Sequence, residues 1–188
     1  QALSVYALGG AEPVELMRTP YVKYTLADLD QDQKQEIVVF RADGEGSGIA
    51  EYYVWQNGAL DIGSSAFISM TMAELSNQGR VKSGALSDHT PALFVTGVSD
   101  SSTEITDVLA VRSGELTNIS LSSVTGVSGA VCRFLSLYPT DINDDGVTEI
   151  PMPVRIPALD SEGGSSASYR IDWYQYTGEG TSQKALST

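Results

Sequence analysis

The residues best suited to chemistry lie in Asp141-Ile142-Asn143-Asp144-Asp145-Gly146-Val147-Thr148-Glu149-Ile150. Counted from Asp141, oxygen-bearing side chains fall at positions 1, 3, 5 and 9: Asp141, Asn143, Asp145 and Glu149. A short, tight loop can aim alternate residues at one centre. Gly146, at position 6, suits the sharp reversal this requires, since glycine adopts positive φ at little steric cost. Hard cations such as Ca²⁺ take six to eight oxygens at about 2.3–2.6 Å. The Val147 carbonyl, at position 7, is a further candidate ligand. The competing reading is a plain Asp/Asn/Gly turn, because the same residues punctuate chains without any ion.

A second copy favours the metal. Asp28-Leu29-Asp30-Gln31-Asp32-Gln33-Lys34-Gln35-Glu36-Ile37 places Asp28, Asp30, Asp32 and Glu36 at the same four positions, and isoleucine again follows the last acid. Gln33 stands where the other loop has Gly146, so the loop at 141–149 is expected to bind more tightly than that at 28–36. The final acid at position 9 excludes an EF-hand, whose bidentate glutamate sits at position 12. The pattern D-x-[DN]-x-D-G-x-x-[DE]-[IL] resembles the calcium loops of FG-GAP and VCBS repeats. That resemblance implies blades of a β-propeller, Ca²⁺ as the bound ion, and an exported protein at a bacterial cell surface.

Positioning such loops requires a repeated frame, and the sequence carries one. The loops are offset by 113 residues. Midway lies Gly84-Ala85-Leu86-Ser87-Asp88-His89-Thr90-Pro91-Ala92-Leu93-Phe94-Val95, which keeps the apolar frame and loses the acids. Leu86 matches Leu29 and Ile142, and Phe94 matches Ile37 and Ile150. Ala85, Ser87, His89 and Leu93 then fill the ligand positions, so this loop is expected to hold no metal. Downstream, β-rich runs end in Asn57-Gly58, Ser113-Gly114 and Thr177-Gly178, which are hairpin signals. The expected fold is all-β: a single domain over 1–188, with an N-terminal strand segment at 1–20. Three propeller-blade-like, four-stranded repeats follow at about 21–77, 78–130 and 131–188, making an open or partial propeller. The N-terminal strands are candidates for donation to another blade. Three blades leave open edges, which implies a homo-oligomer or further blades. Met70–Leu75 is a candidate for a single helical turn.

Charge narrows the partners. Lys and Arg number 11 against 24 Asp and Glu, a formal charge of -13. Nucleic acid is excluded as a partner, because its binding needs a basic footprint. An anionic membrane surface is disfavoured for the same reason. No signal peptide and no apolar run long enough to cross a bilayer is present. The sequence opens on Gln1, and a mature or trimmed form of an exported protein is the expectation. The lone Cys132 excludes an intrachain disulfide and reads as a packed thiol.

Catalysis has weak candidates. His89 is the single histidine and lies where the sister loops carry a ligand acid. Asp43, Glu45, Asp160 and Glu162 fall in Gly/Ser-rich connections and are the carboxylates that a glycan hydrolase would recruit. No Walker-type loop and no Cys/His zinc pattern occurs. A binding module is the stronger expectation, not an enzyme, with a glycan or protein ligand. Trp55, Trp173, Tyr52, Tyr53, Tyr174 and Tyr176 supply the aromatic surface it would need, although most such residues in strands form cross-strand or core pairs.

Overall fold

A computed structural model describes residues 1–45, 47–56, 58–98, 103–120, 131–132, 137–156, 168–176 and 182–187. The chain is all-β, in several antiparallel sheets, and no sheet closes on itself among the described residues. A first hairpin pairs β1 (Ala2–Ala7) with β2 (Val14–Pro20). The first large sheet runs in chain order: β3 (Lys23–Ala27), β4 (Glu36–Ala42), β5 (Ser47–Gln56) and β6 (Ala59–Thr71). The second repeats that meander with β7 (Arg80–Ala85), β8 (Pro91–Val98), β9 (Thr103–Arg112) and β10 (Glu115–Asn118). β11 (Val131–Cys132) adds to β9 of this sheet, although the sequence places it in the third repeat. The third sheet holds β12 (Ile150–Ile156), β13 (Ser168–Tyr176) and β14 (Ser182–Ser187). Two of the three expected repeats therefore show four strands in order, and the third shows three among the described residues.

The sheets stack face to face. Val38, Phe40, Ala50, Tyr52, Ile68 and Met70 of the first sheet pack against Leu93, Val95, Leu109 and Leu116 of the second. The opposite face of the second sheet sends Ala92, Phe94, Val108 and Ala110 against Ile150 and Tyr176 of the third. β8 is thus covered on both sides, which explains its nearly unbroken apolar run, Pro-Ala-Leu-Phe-Val-Thr-Gly-Val. Burying a side chain the size of Phe94 contributes about 1.5–3 kcal/mol. The N-terminal strands pair with each other and lie over the outer face of the first sheet. There Met17, Leu3 and Val5 meet Val39, Tyr53 and Ile37. They cover that face and extend no other sheet among the described residues.

One helix, α1 (Met72–Gln78), bridges the first two sheets. It begins one residue beyond the Thr71 N-cap. The Thr71 hydroxyl accepts from the Glu74 N–H, and the Glu74 carboxylate accepts from the Thr71 N–H, which satisfies two terminal groups reciprocally. Met72 and Leu75 point into the core.

Candidate metal centre

The three loops occupy one end of the stacked sheets and touch in sequence. The Gln31 amide donates to the His89 carbonyl at 3.4 Å. The Thr148 N–H donates to the Ala85 carbonyl at 2.9 Å, and the Ser87 N–H to the Tyr176 carbonyl at 2.9 Å. The second contact depends on Gly84, where a Cβ would lie 2.1 Å from the Thr148 hydroxyl.

The two acidic loops share one hydrogen-bond plan. At position 1, Asp28 Oδ2 accepts from the Gln33 N–H (3.0 Å), and Asp141 Oδ2 accepts from the Gly146 N–H (2.8 Å). At position 3, Asp30 accepts from Asp32 N–H and Asn143 accepts from Asp145 N–H. At position 5, Asp32 accepts from Lys34 N–H and Asp145 accepts from Val147 N–H, both at 2.8 Å. At position 9, Glu36 and Glu149 turn back and accept from the amides of Leu29 (2.9 Å) and Ile142 (3.0 Å). These bonds fold each acidic side chain into the concavity of its own loop. Positive φ recurs at positions 4 and 6 of both: Gln31 and Gln33 in one, Asp144 and Gly146 in the other.

The loops differ in detail. One oxygen from each of Asp28, Asp30, Asp32 and Glu36 lies within 4.8 Å of all the others, a spacing that one cation can bridge. Among the described residues, the carboxylates of the 141–149 loop are not gathered to that spacing. Asp28 Oδ1 is buried without a hydrogen-bond partner, which is costly for an ionised oxygen. A divalent ion in this loop would satisfy it, so the donor set fits a hard cation. Burial pushes the Glu36 carboxyl above its ordinary range, and the neighbouring Asp30, Asp28 and Asp32 charges push the same way against the Leu29 N–H. Tyr52, buried and facing Glu36, is likewise raised. Lys34 at position 7 places its ammonium 2.6 Å from Asp32 Oδ2 and holds that carboxyl low. In the other loop Glu149 is fully buried, and its second oxygen accepts from the Gln175 amide at 2.7 Å. Val147 N–H pulls the Asp145 carboxyl below its ordinary value.

From the sequence, Tyr52 reads only as part of an aromatic surface, and neither Lys34 nor Gln175 is marked as a site residue. Lys34 lies within the acidic loop itself, whereas Gln175 reaches Glu149 only through the fold. His89, at the middle loop, has a φ of 61° and uses its backbone N–H on the Leu86 carbonyl at 2.8 Å. Asp43 is committed to a turn, where it accepts from the amides of Glu45 and Ser47. Asp160 and Glu162 lie outside the described residues, as do the Thr177-Gly178 turn and the Cys132 side chain. Trp55 is 56% exposed beside the first acidic loop, whereas Trp173 is buried. No helix among the described residues is long and apolar enough to cross a membrane. Comparison with protein-family models, with curated proteins and with solved structures finds no match.

Proposed function

We propose that this chain is a calcium-stabilised β-repeat module, exported to the cell surface, whose work is binding rather than catalysis. The observation that carries the reading is the shared architecture of the two acidic loops. Oxygens at positions 1, 3, 5 and 9 are held by the same amides in both, with Asp28 Oδ1 left for a cation. Asp28, Asp30, Asp32 and Glu36 would hold one ion. Asp141, Asn143, Asp145, Glu149 and the Val147 carbonyl would draw together around a second. Bound Ca²⁺ supplies positive charge and fixed geometry, and the loops in turn brace the ends of the sheets. The repeats are read as three propeller-like blades, the middle one having lost its ion. Extracellular modules bind Ca²⁺ at about 10⁻⁴–10⁻³ M, a range matched to the outside of a cell.

Thermal melting in Ca²⁺ and in chelator tests the reading. A tenfold excess over Kd adds about 1.4 kcal/mol per site. For a chain of this size, that is about 3–6 °C in Tm for each site. Identical melts in the two conditions would remove the metal from the proposal. A glycan and peptide array, probed in Ca²⁺ and in chelator, then identifies the ligand class.

A further inference from the structure

We propose that the chain carries a second ligand site, independent of the metal loops: a pocket between the second and third sheets that takes a carboxylate on a compact apolar body. The pocket has a volume of about 380 Å³. Its base is made by Phe94, Pro139 and Trp173, all buried. Arg80 and Lys82, both exposed, stand at its edge. Acids outnumber bases 24 to 11 in the chain, yet among the described residues no acid lines this cavity and two cations do. That inversion is the feature needing an explanation.

The cations are only partly used. The Lys82 ammonium makes long contacts to the Pro139 carbonyl (3.4 Å) and the Thr140 hydroxyl (3.2 Å), and an ammonium has three protons to donate. The Arg80 guanidinium lies 3.7 Å from the centre of the Tyr138 ring, a cation–π contact that leaves its N–H fork unspent. Neither forms an ion pair among the described residues. The polar groups that reach the cavity are therefore mainly donors: the Arg80 guanidinium and the Lys82 ammonium, with the Thr140 hydroxyl beside them.

An ionised carboxylate only accepts, and it matches a guanidinium in geometry as well as charge. The apolar base favours an organic anion over a mineral one. The volume is near the lower end of small-molecule pockets, about 300–1,000 Å³, which limits the body to a ring or a short chain. A protein of charge -13 repels anions in general, so binding here requires the local pair of cations.

The probe is 3-phenylpropionate, with the neutral 3-phenylpropionamide as its control, titrated calorimetrically into the full chain in chelator. In a Trp55→Phe background, Trp173 fluorescence gives a second readout at the pocket itself. The expected result is saturable binding of the acid at millimolar concentration, at least about tenfold tighter than the amide. The double substitution Arg80→Gln, Lys82→Gln should abolish that preference while circular dichroism and the urea midpoint stay unchanged. Lys82→Arg should retain it. Equal binding of acid and amide, or no saturable binding of the acid to folded chain, overturns the proposal. So does a preference that survives the double substitution.

Discussion

Asp107 accepts two hydrogen bonds from Ser69, one from its backbone N–H and one from its hydroxyl, both at 2.6 Å. Asp107 belongs to the second sheet and is fully buried, whereas Ser69 belongs to the first. The Ser120 hydroxyl lies 3.1 Å from Asp107 and shares its one proton between that carboxylate and Asn118 Oδ1, 2.5 Å away. One carboxylate thus fastens two stacked sheets at a point where apolar packing alone would permit sliding. Asp107→Ala should remove these bonds and leave the Ser69 amide without its acceptor. The expected loss is about 3 kcal/mol, since bonds to charged groups are worth about 1.5–3 kcal/mol each and some will be recovered by water. The urea midpoint should fall while the slope of the transition stays constant. An unchanged midpoint would show that the contact is incidental.

The first acidic loop makes a pH prediction with a definite sign. Glu36 is held above its ordinary value of 4.5, chiefly by burial. The folded chain therefore binds its proton more tightly than the unfolded chain does. In chelator, this group's contribution is fully present below 4.5 and is lost as pH rises through the elevated folded value. On the proposed reading a bound Ca²⁺ ion would reverse the sense, because it would compete with the proton for the same oxygens. Denaturant midpoints measured across weakly acidic pH should thus fall toward neutrality in chelator, and the increment from Ca²⁺ should grow over the same range. Glu36→Gln should flatten both trends. Parallel curves with and without the ion would separate Glu36 from any metal.

Position 6 offers a matched pair of substitutions. Gln33 has a φ of 70° and Gly146 a φ of 86°, so glutamine occupies the conformation that suits glycine. A left-handed non-glycine residue costs about 1–2 kcal/mol. Gln33→Gly should relieve part of that, raise the melting temperature and tighten the first loop for Ca²⁺. Gly146→Ala should do the reverse by about 1 kcal/mol. No atom lies within 4 Å of the Cβ it adds, so backbone strain is the whole effect. With native residues, the loop at 141–149 should therefore bind more tightly than that at 28–36. Calorimetry on single-loop knockouts, Asp28→Ala and Asp141→Ala, ranks them, and the opposite order would mean that the closer gathering of Asp28, Asp30, Asp32 and Glu36 outweighs the glycine.

The features legible in the sequence are those whose partners are near in the chain. The acids at 1, 3, 5 and 9 meet amides of their own loop, so spacing alone foretells the shared hydrogen-bond plan. The meander order of the first two sheets follows from local turn signals, and Ser113-Gly114 carries the positive φ at both positions that such a turn requires. Asp107 was not legible, because its partner Ser69 lies 38 residues away. The cationic pocket needs Arg80, Lys82 and Trp173 brought together from two sheets. Register also escaped the sequence in one place. Ala27 pairs with Glu36, Thr140 with Glu149, and Gly84 with Ala92, so the middle loop is one residue shorter than its sisters. Ala92, rather than Leu93, stands at position 9. β8 is buried on both faces, so no alternation of apolar and polar residues marks which face each side chain takes.

That shortened register yields a prediction for the loop without acids. The amides two residues past the paired position are equivalent in the three loops: Leu29, Leu86 and Ile142. Leu29 and Ile142 donate to the glutamates at position 9, whereas Leu86 donates to the Thr90 carbonyl at 2.9 Å. The middle loop has thus replaced a carboxylate with its own backbone. Ala92→Glu restores the acid that the pattern lacks, but Leu86 N–H is already taken and Ala92 is fully buried among Phe94, Val108 and Ala110. The new carboxylate would be desolvated with neither an amide nor an ion, at a cost of about 3 kcal/mol or more. The urea midpoint should fall equally in Ca²⁺ and in chelator. Glu149→Ala makes the complementary test, since it orphans the Ile142 amide and should weaken the response to Ca²⁺. If Ala92→Glu instead gained a calcium-dependent rise in Tm, the middle loop would be a dormant site awaiting one ligand, and the assignment of Thr90 as the substitute acceptor would be wrong.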